Sequence, residues 1–174
     1  MRIYRSEKME GSIYYNDDFY RTRDESTKYS AQRILEIVKE YMNASSVIDV
    51  GGGVGTFLNV ASDLFKTEDI LLLEGSWLMS SGACMRREGV KVPIKRYMPC
   101  DLEQRINVCR KFDLVISLEV AEHLSEKRAS SFIEELTHLG DVILFGAAVP
   151  YQGGDHHINE QPITYWIDLF EKNG

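Results

Sequence analysis

Apolar residues recur along the chain in two patterns. In residues 30–42 they recur at helical spacing beside charged residues, which predicts an amphipathic helix with one buried face. In residues 47–50 they form a short β-branched run that stops at glycines, which is typical of a strand buried on both faces. Residues 1–25 are polar and aromatic and show no clear period.

The two patterns alternate along the rest of the chain. Helical spacing predicts further helices over residues 56–65, from residue 77 onward, and over residues 125–139 and 162–172. Continuous apolar runs predict further strands over residues 70–73, 95–100, 112–118 and 142–148. Strands that alternate with helices in this way indicate a mostly parallel sheet covered on both faces. We therefore expect a doubly wound, Rossmann-like α/β fold, in which ligands bind beyond the carboxyl ends of the strands.

Composition narrows the class of protein. The chain has 174 residues, the size of one domain, which we place at residues 1–174. Its 20 lysines and arginines against 27 aspartates and glutamates give a net charge of −7, which disfavours binding to the phosphate backbone of nucleic acids. The apolar runs are too short to span a bilayer, and no secretory signal opens the chain. We therefore expect a cytoplasmic domain that binds neither membranes nor nucleic acids.

A glycine-rich turn follows the first predicted strand. It reads Asp49-Val50-Gly51-Gly52-Gly53-Val54-Gly55, with a carboxylate two residues before the first glycine. Glycines allow a sharp turn and a close approach of the backbone to a ligand. The spacing fits neither the G-x-G-x-x-G fingerprint of dinucleotide-binding folds nor a P-loop. The alternative is a turn between strand and helix that binds no ligand.

Two further carboxylates follow the second and third predicted strands. Glu74 can accept both hydroxyl groups of a ribose, and Asp101 can accept the exocyclic amino group of an adenine. The alternative for each is a solvated loop acid. Together with Asp49, they place acids at three successive strand ends without a lysine or arginine clamp. Such a set favours a cationic ligand over a phosphorylated one.

These features, with several longer blocks, resemble the class I S-adenosylmethionine-dependent methyltransferases. The most specific blocks are Ser-Leu-Glu-Val-Ala-Glu-His-Leu at residues 117–124 and His-His-Ile-Asn-Glu-Gln at residues 156–161. The chain is most similar to a bacterial subgroup of small methyltransferases found beside glycan or natural-product biosynthesis genes. The resemblance implies S-adenosylmethionine as the cofactor and S-adenosylhomocysteine as its product. It implies contacts to the methionine end from Asp49, Gly51, Gly53 and Gly55, to the ribose from Glu74, to the adenine from Asp101 and Leu102, and to the methionine moiety or the transferring methyl group from Glu119.

The resemblance also implies the order of the strands. It predicts the order 3-2-1-4-5, with the sixth and seventh strands, the usual C-terminal hairpin, missing. The edge of the fifth strand should then be bare. We expect either that the 174 residues are a fragment of a longer chain, which we favour, or that a neighbouring copy covers the edge in a homo-oligomer. Residues 1–29 are expected to cover the substrate and the cofactor.

Two adjacent histidines, His156 and His157, are the candidates for the catalytic base. Methyl transfer from a sulfonium requires alignment of the nucleophile, the methyl carbon and the sulfur, and removal of a proton when the nucleophile is a hydroxyl. Both histidines lie in a polar loop after the fifth predicted strand, at the ligand-binding edge of the sheet. The alternative is that they only shape this loop. Residues 159–161 are interpreted in the same way, as local caps for the helix that begins at Pro162.

We predict no metal site. The three cysteines lack the spacing of a zinc site, adjacent histidines seldom bind one ion, and no two histidines lie four residues apart. For His123 two interpretations remain, a side chain that faces the pocket and one that only packs, and packing is slightly favoured.

The sequence therefore predicts a methyltransferase that acts on an oxygen or nitrogen of a small molecule or sugar. The first alternative is a protein that binds the cofactor, or serves as a scaffold, without turnover. The second is a Rossmann oxidoreductase that binds NAD, which the glycine spacing disfavours.

Overall fold

The computed structural model describes residues 17–76, 78 and 96–173, and the side chains among them from residue 27 onward. The strands are β1 (Ser46–Val50), β2 (Asp69–Glu74), β3 (Tyr97–Pro99), β4 (Leu114–Leu118) and β5 (Ile143–Gly146). The helices are α1 (Asp17–Tyr41), α2 (Thr56–Phe65), α3 (Glu126–Leu139) and α4 (Ile163–Asn173), and a short 3-10 helix, Ala121–His123, follows β4.

The five strands run parallel in the order β3-β2-β1-β4-β5. This arrangement confirms the predicted α/β fold and the predicted strand order. β1 lies at the centre, where Ile48 pairs with Leu71 of β2 and with Val115 of β4. The strand order reverses at β1, so the crevice beyond the ends of β1 and β4 is the topological switch point of the sheet.

Helices cover both faces of the sheet. On one face, α1 and α2 bury apolar side chains such as Leu35 and Leu58. On the other face, α3 and α4 bury apolar side chains such as Phe132 and Trp166. Because apolar layers enclose the strands, their polar side chains are concentrated at the ends, where a ligand would bind. No helix in the described ranges is both long and apolar enough to cross a membrane.

Some boundaries differ from the sequence prediction. Residues 17–29 belong to α1, although no apolar period predicts a helix there. A helix can extend past its buried face, because each added residue closes one more backbone hydrogen bond without needing an apolar contact. β3 and β5 are shorter than predicted at both ends. Apart from Leu78, which is helical and buried, the predicted helix from residue 77 lies outside the described residues. So do residues 1–16 of the predicted covering segment, and the role of that segment stays a prediction.

β5 forms one edge of the sheet. α4 packs over this strand, with the ring centroid of Phe145 at 5.5 Å from that of Trp166 and 5.2 Å from that of Phe170. In the part of the chain that the structure describes, no strand pairs with the outer side of β5. Pairing of this edge with a second copy stays a prediction.

A buried arginine ties the loop after β3 to α3. The guanidinium of Arg128, a residue only 6% exposed, donates hydrogen bonds to the carbonyl oxygens of Leu102 (2.9 Å) and Gln104 (3.0 Å). It also pairs with the carboxylate of Glu135, which accepts a hydrogen bond from the backbone N–H of Ile106 (3.0 Å). One buried ion pair therefore fixes the loop that carries the predicted adenine-binding residues.

Replacement of this arginine by methionine should destabilise the fold. Arg128→Met keeps an apolar stem but leaves Glu135, whose side chain is 17% exposed, without its partner, and we expect a loss of up to about 3 kcal/mol, the lower end for a buried ion pair. Urea denaturation followed by circular dichroism measures the change in the free energy of unfolding.

The control is Lys111→Met, which breaks an exposed ion pair with Asp141 (2.6 Å). An exposed pair of this kind contributes less than about 1 kcal/mol. Equal losses of stability in the two variants would contradict the role given to Arg128.

Candidate functional site

The strand order brings four of the sequence-predicted residues to one edge of the sheet. Asp49 lies in β1, Glu74 ends β2, Asp101 follows β3 and Glu119 follows β4. The strands β3, β2, β1 and β4, which these residues end or follow, are parallel and are consecutive neighbours in the sheet. Their carboxyl ends therefore line one continuous edge. The structure thus groups the predicted cofactor-binding residues, and their individual roles stay predictions.

The turn between β1 and α2 packs so closely that it requires glycine. Gly51 has a φ of 79°, in the left-handed region. A Cβ atom at this position would lie 2.5 Å from Cγ2 of Val120 and 3.3 Å from Cδ1 of Leu102. Gly53 and Gly55 also have positive φ values, 57° and 84°. The backbone of the turn therefore lies directly against residues that follow β3 and β4.

Asp49 is buried under this turn. The residue is 2% exposed, and its Oδ2 atom has no hydrogen-bond partner among the described residues. A Cβ atom at Gly52 would lie 2.3 Å from Oδ2, so the glycine leaves room for the carboxylate. Burial raises the pKa of Asp49 to about 7, and the charge of Glu74 adds to the increase. A positive charge placed nearby would favour the ionised carboxylate.

Glu74 links the end of β2 to the glycine turn. Its Oε2 accepts a hydrogen bond from the N–H of Gly53 (2.8 Å), and its Oε1 accepts one from the N–H of Gly75 (2.7 Å). Burial raises the pKa of Glu74 in spite of these two bonds. Each carboxylate oxygen can accept a further hydrogen bond, so the predicted contact to a ribose is compatible with both bonds.

In the loop after β3, Leu102 and Asp101 differ in exposure and in their contacts. Leu102 is half-buried and its side chain lies against the glycine turn, near Gly51. Asp101 is exposed, and its Oδ1 accepts a hydrogen bond from the N–H of Glu103 (3.1 Å). The N–H of Cys100 donates to the carbonyl oxygen of Glu74 (2.9 Å), which holds this loop beside the end of β2.

Glu119 occupies a strained position directly after β4. Its φ is 57°, a region that non-glycine residues seldom adopt outside functional sites. Its N–H donates to the carbonyl oxygen of Gly146 (2.9 Å), so the backbone of β5 helps to hold this conformation. The side chain is exposed, and its Oε2 accepts a hydrogen bond from the Nε2 atom of Gln152 (3.4 Å).

A second group of side chains, which we call the carboxylate–histidine cluster, consists of Glu122, His123 and His157. One potential ligand atom from each lies within 4.8 Å of those from the other two. The rings of the two histidines meet edge to face, with centroids 4.8 Å apart. Two backbone bonds join the loop after β5 to the 3-10 helix: the N–H groups of Ile158 and Asn159 donate to the carbonyl oxygen of Glu122 (2.9 and 3.0 Å).

Hydrogen bonds define the tautomer of both histidines. The Nδ1 atom of His123 lies 3.1 Å from the carbonyl oxygen of His156, and that of His157 lies 3.1 Å from Oε1 of Glu160. The pKa of Glu160 is lowered, chiefly by its bond with His157, so this carboxyl is ionised near neutral pH. Because a carbonyl and a carboxylate oxygen only accept, each Nδ1 donates its hydrogen, and the tautomer that this bond selects has its lone pair on Nε2.

Glu122 has no exposed surface, and neither of its carboxylate oxygens has a partner within hydrogen-bond geometry among the described residues, although its own N–H and that of Ala148 lie near enough to lower its pKa. Burial raises its pKa to about 7, and the nearby charge of Glu119 contributes to the increase. Native proteins rarely leave a buried polar group unpaired, so this carboxylate requires a physical explanation.

The contacts of the loop after β5 differ from the prediction that residues 159–161 cap the helix that follows. Glu160 does not cap α4: its carboxylate accepts hydrogen bonds from the N–H groups of Tyr151 and Gly153, each at 2.9 Å. Asn159 is buried, and its backbone binds the 3-10 helix instead of the start of α4. Of the two predicted histidines, His157 lies in the carboxylate–histidine cluster, whereas the ring of His156 is exposed. The carbonyl oxygen of His156 contacts the cluster through the Nδ1 atom of His123.

Sequence reasoning missed Glu122 and Glu160, and for His123 it slightly favoured packing. The signal was present, because residues 117–124 formed one of the most specific blocks and place two acids and a histidine directly after β4. The prediction of no metal site considered adjacent histidines within one loop. The structure instead brings His123 and His157 together from two segments that are distant in the sequence.

Comparison with known proteins gives a consistent fold. No protein-family profile and no curated protein sequence matches the chain. Among solved structures, the methyltransferase domain of the bacterial protein CtHen1 superposes with a TM-score of 0.62 at 22% identity, over 83% of this chain and 84% of that one. An S-adenosylmethionine-dependent methyltransferase from Clostridium acetobutylicum superposes with a TM-score of 0.56 at 17% identity, over 72% of this chain and 52% of that one.

A third similar structure is human N-acetylserotonin methyltransferase in complex with S-adenosylmethionine. It superposes with a TM-score of 0.56 at 14% identity, over 75% of this chain and 42% of that one. The alignment thus spans most of the CtHen1 domain but only about half of the other two proteins. The chain has the fold of the class I S-adenosylmethionine-dependent methyltransferases.

Proposed function

We propose that the chain binds S-adenosylmethionine at the carboxyl edge of its sheet and transfers the methyl group to an oxygen or nitrogen of a small molecule or sugar. The observation that carries this proposal is the placement of the Asp49 and Glu74 carboxyls at adjacent strand ends against the glycine turn, where burial raises the pKa of both. Among the described residues, no lysine or arginine forms an ion pair with either carboxyl. The sulfonium and ammonium groups of the cofactor supply the positive charge that such a site favours.

The cofactor would lie across the ends of three neighbouring strands. The methionine end would contact Asp49 and the glycine turn, and the ribose would contact Glu74. The adenine would lie against the loop after β3, where Leu102 offers an apolar surface and Asp101 an exposed carboxylate. Glu119 would border the methionine moiety or the methyl group.

His157 is the better of the two candidates for the group that handles the acceptor proton. Its Nδ1–H bond to Glu160 orients the ring and leaves the Nε2 lone pair available to act on an acceptor hydroxyl. The enzyme would then align the acceptor oxygen with the methyl carbon and the sulfur and accept the proton as the new bond forms.

Calorimetric titration with S-adenosylmethionine and with NAD tests the cofactor directly. We expect one S-adenosylmethionine molecule bound per chain and no binding of NAD; the reverse result would support an oxidoreductase. A screen with tritiated cofactor then identifies the acceptor. Cofactor binding without transfer to any acceptor would support the alternative in which the protein binds the cofactor but does not catalyse a reaction.

Loss of the Glu74 carboxylate should weaken cofactor binding. Glu74→Ala removes charge-assisted hydrogen bonds to the ribose, which contribute about 1.5–3 kcal/mol, or more than about tenfold in affinity. Glu40→Ala is the control, because Glu40 is an exposed acid on α1. Calorimetry gives both dissociation constants, and an unchanged affinity in correctly folded Glu74→Ala would refute the ribose assignment.

The affinity for the cofactor should increase with pH up to about pH 7. The pKa of Asp49 in the free protein is about 7, so below this pH a cation must displace a proton when it binds. For one such group, the dissociation constant decreases about tenfold between pH 6 and pH 7.5. Asp49→Asn should bind more weakly and show a flatter pH dependence, and an equal dependence in both proteins would exclude Asp49 as its source.

Replacement of His157 should reduce turnover more than cofactor affinity. With an acceptor from the screen, His157→Gln should lower kcat by at least about a hundredfold, the usual contribution of acid–base catalysis. His156→Gln should have a smaller effect, because the ring of His156 is exposed. Steady-state kinetics and calorimetry separate the two quantities, and equal effects of the two variants on kcat would contradict the preference for His157.

A further inference from the structure

We propose that the carboxylate–histidine cluster binds one divalent first-row transition-metal ion, with Glu122, His123 and His157 as its protein ligands. The three side chains come from the 3-10 helix after β4 and the loop after β5, beside the proposed methyl-transfer site.

Distances within the cluster suit a single ion. The three potential ligand atoms lie within 4.8 Å of one another. Two ligands on opposite sides of an ion with bonds of about 2.1 Å are about 4.2 Å apart, so small side-chain rotations would bring all three into contact. The backbone bonds from Ile158 and Asn159 to Glu122 keep the two segments together without the ion.

The histidines have the hydrogen bonds that metal ligands usually have. A metal-binding histidine commonly donates its other ring N–H to a carboxylate or a backbone carbonyl. His157 donates to Glu160 and His123 donates to the carbonyl oxygen of His156. A Cβ atom at Gly154 would lie 2.3 Å from Nε2 of His157, so the glycine leaves room for the imidazole ring in its present orientation.

The carboxylate supplies an independent indication. Glu122 is fully buried, both of its oxygens lack hydrogen-bond partners among the described residues, and it belongs to the same cluster as the two imidazoles. An ionised carboxylate is costly to bury unless it is paired or coordinates a metal. A bound cation would supply the close partner that both oxygens lack, since the nearby N–H groups of Glu122 and Ala148 do not reach hydrogen-bond geometry.

Two imidazole nitrogens and one carboxylate favour Mn²⁺, Fe²⁺, Co²⁺ or Zn²⁺ over Mg²⁺ and Ca²⁺, which prefer oxygen ligands. Three protein ligands also leave at least one coordination position for an exchangeable oxygen ligand.

The next step rests on the proposed function: the exchangeable ligand would be the hydroxyl group of the methyl acceptor. Coordination lowers the pKa of a bound hydroxyl group. Its O–H bond breaks and the proton passes to solvent, while the oxygen bonds to the methyl carbon. The bond between that carbon and sulfur breaks, and its electron pair stays on the sulfur of S-adenosylhomocysteine. In the metal-bound protein His157 would act on the acceptor proton through the ion and not as the base itself, so the loss of kcat expected for His157→Gln would come with a loss of metal binding.

Metal binding can be tested without an acceptor. The full chain, treated with a chelator and then freed of it, is titrated calorimetrically with Mn²⁺, Co²⁺ and Zn²⁺ in separate experiments. Visible absorption of the Co²⁺ complex reports the coordination geometry. We expect one ion per chain for at least one metal, with a dissociation constant below about 100 μM.

Glu122→Gln and His157→Gln should each weaken binding by at least about tenfold and alter the Co²⁺ spectrum. His138→Gln is the matched control, since His138 is an exposed histidine on α3 outside the cluster, and it should bind like the wild type. Circular dichroism verifies that each variant is folded. No stoichiometric binding of any of the three ions, or equal affinity in Glu122→Gln and the wild type, would overturn the proposal.

The outcome of the metal titration can be distinguished from the outcome of the test of the proposed function. Glu74→Ala should weaken S-adenosylmethionine binding and leave metal binding unchanged. A chain that binds S-adenosylmethionine but no metal would refute only the metal site. A chain that binds the metal but not S-adenosylmethionine would refute only the proposed methyltransferase function.

Discussion

Buried negative charge at the carboxyl edge of the sheet is the constraint on which the site depends. Asp49, Glu74 and Glu122 each have a raised pKa because burial removes their carboxyls from water. A protein optimised only for stability would pair or replace such groups. The apolar layers on both faces of the parallel sheet produce the burial, and the strand order brings the acids to one edge. Their arrangement is understandable if the edge receives cations.

Two polar contacts hold the loops at this edge in place, and both are made away from the side that would receive a ligand. Arg128 holds the loop after β3 against α3. The carbonyl oxygen of Glu122 holds the loop after β5 against the 3-10 helix. These connections place Leu102 on one side of the glycine turn and His157 on the other side of the switch point. The loops that would contact ligands are thus fixed by groups that need not contact a ligand themselves.

Much of the fold was predictable from the sequence because its signals are local. Each strand is a short apolar run, and the helical spacing in residues 56–65 reproduces α2 without error. The start of α1 was not predictable from an apolar period, because residues 17–29 lack one. The acids at the strand ends were predictable, since a parallel sheet places every carboxyl end at the same edge. The approach of His157 to Glu122 and His123 was not predictable, because the backbone bonds from Ile158 and Asn159 to Glu122 that bring the two segments together leave no sequence pattern.

The proton balance of cofactor binding tests the central claim most directly. Calorimetric titration with S-adenosylmethionine at pH 6.5, in two buffers with different enthalpies of ionisation, gives the number of protons exchanged. With a pKa of about 7 for Asp49, we expect the release of about 0.8 proton per cofactor bound, and of fewer protons in Asp49→Asn. Binding with no proton release, or with the same release in the variant, would contradict the claim that buried acids at this edge receive the charge of the cofactor.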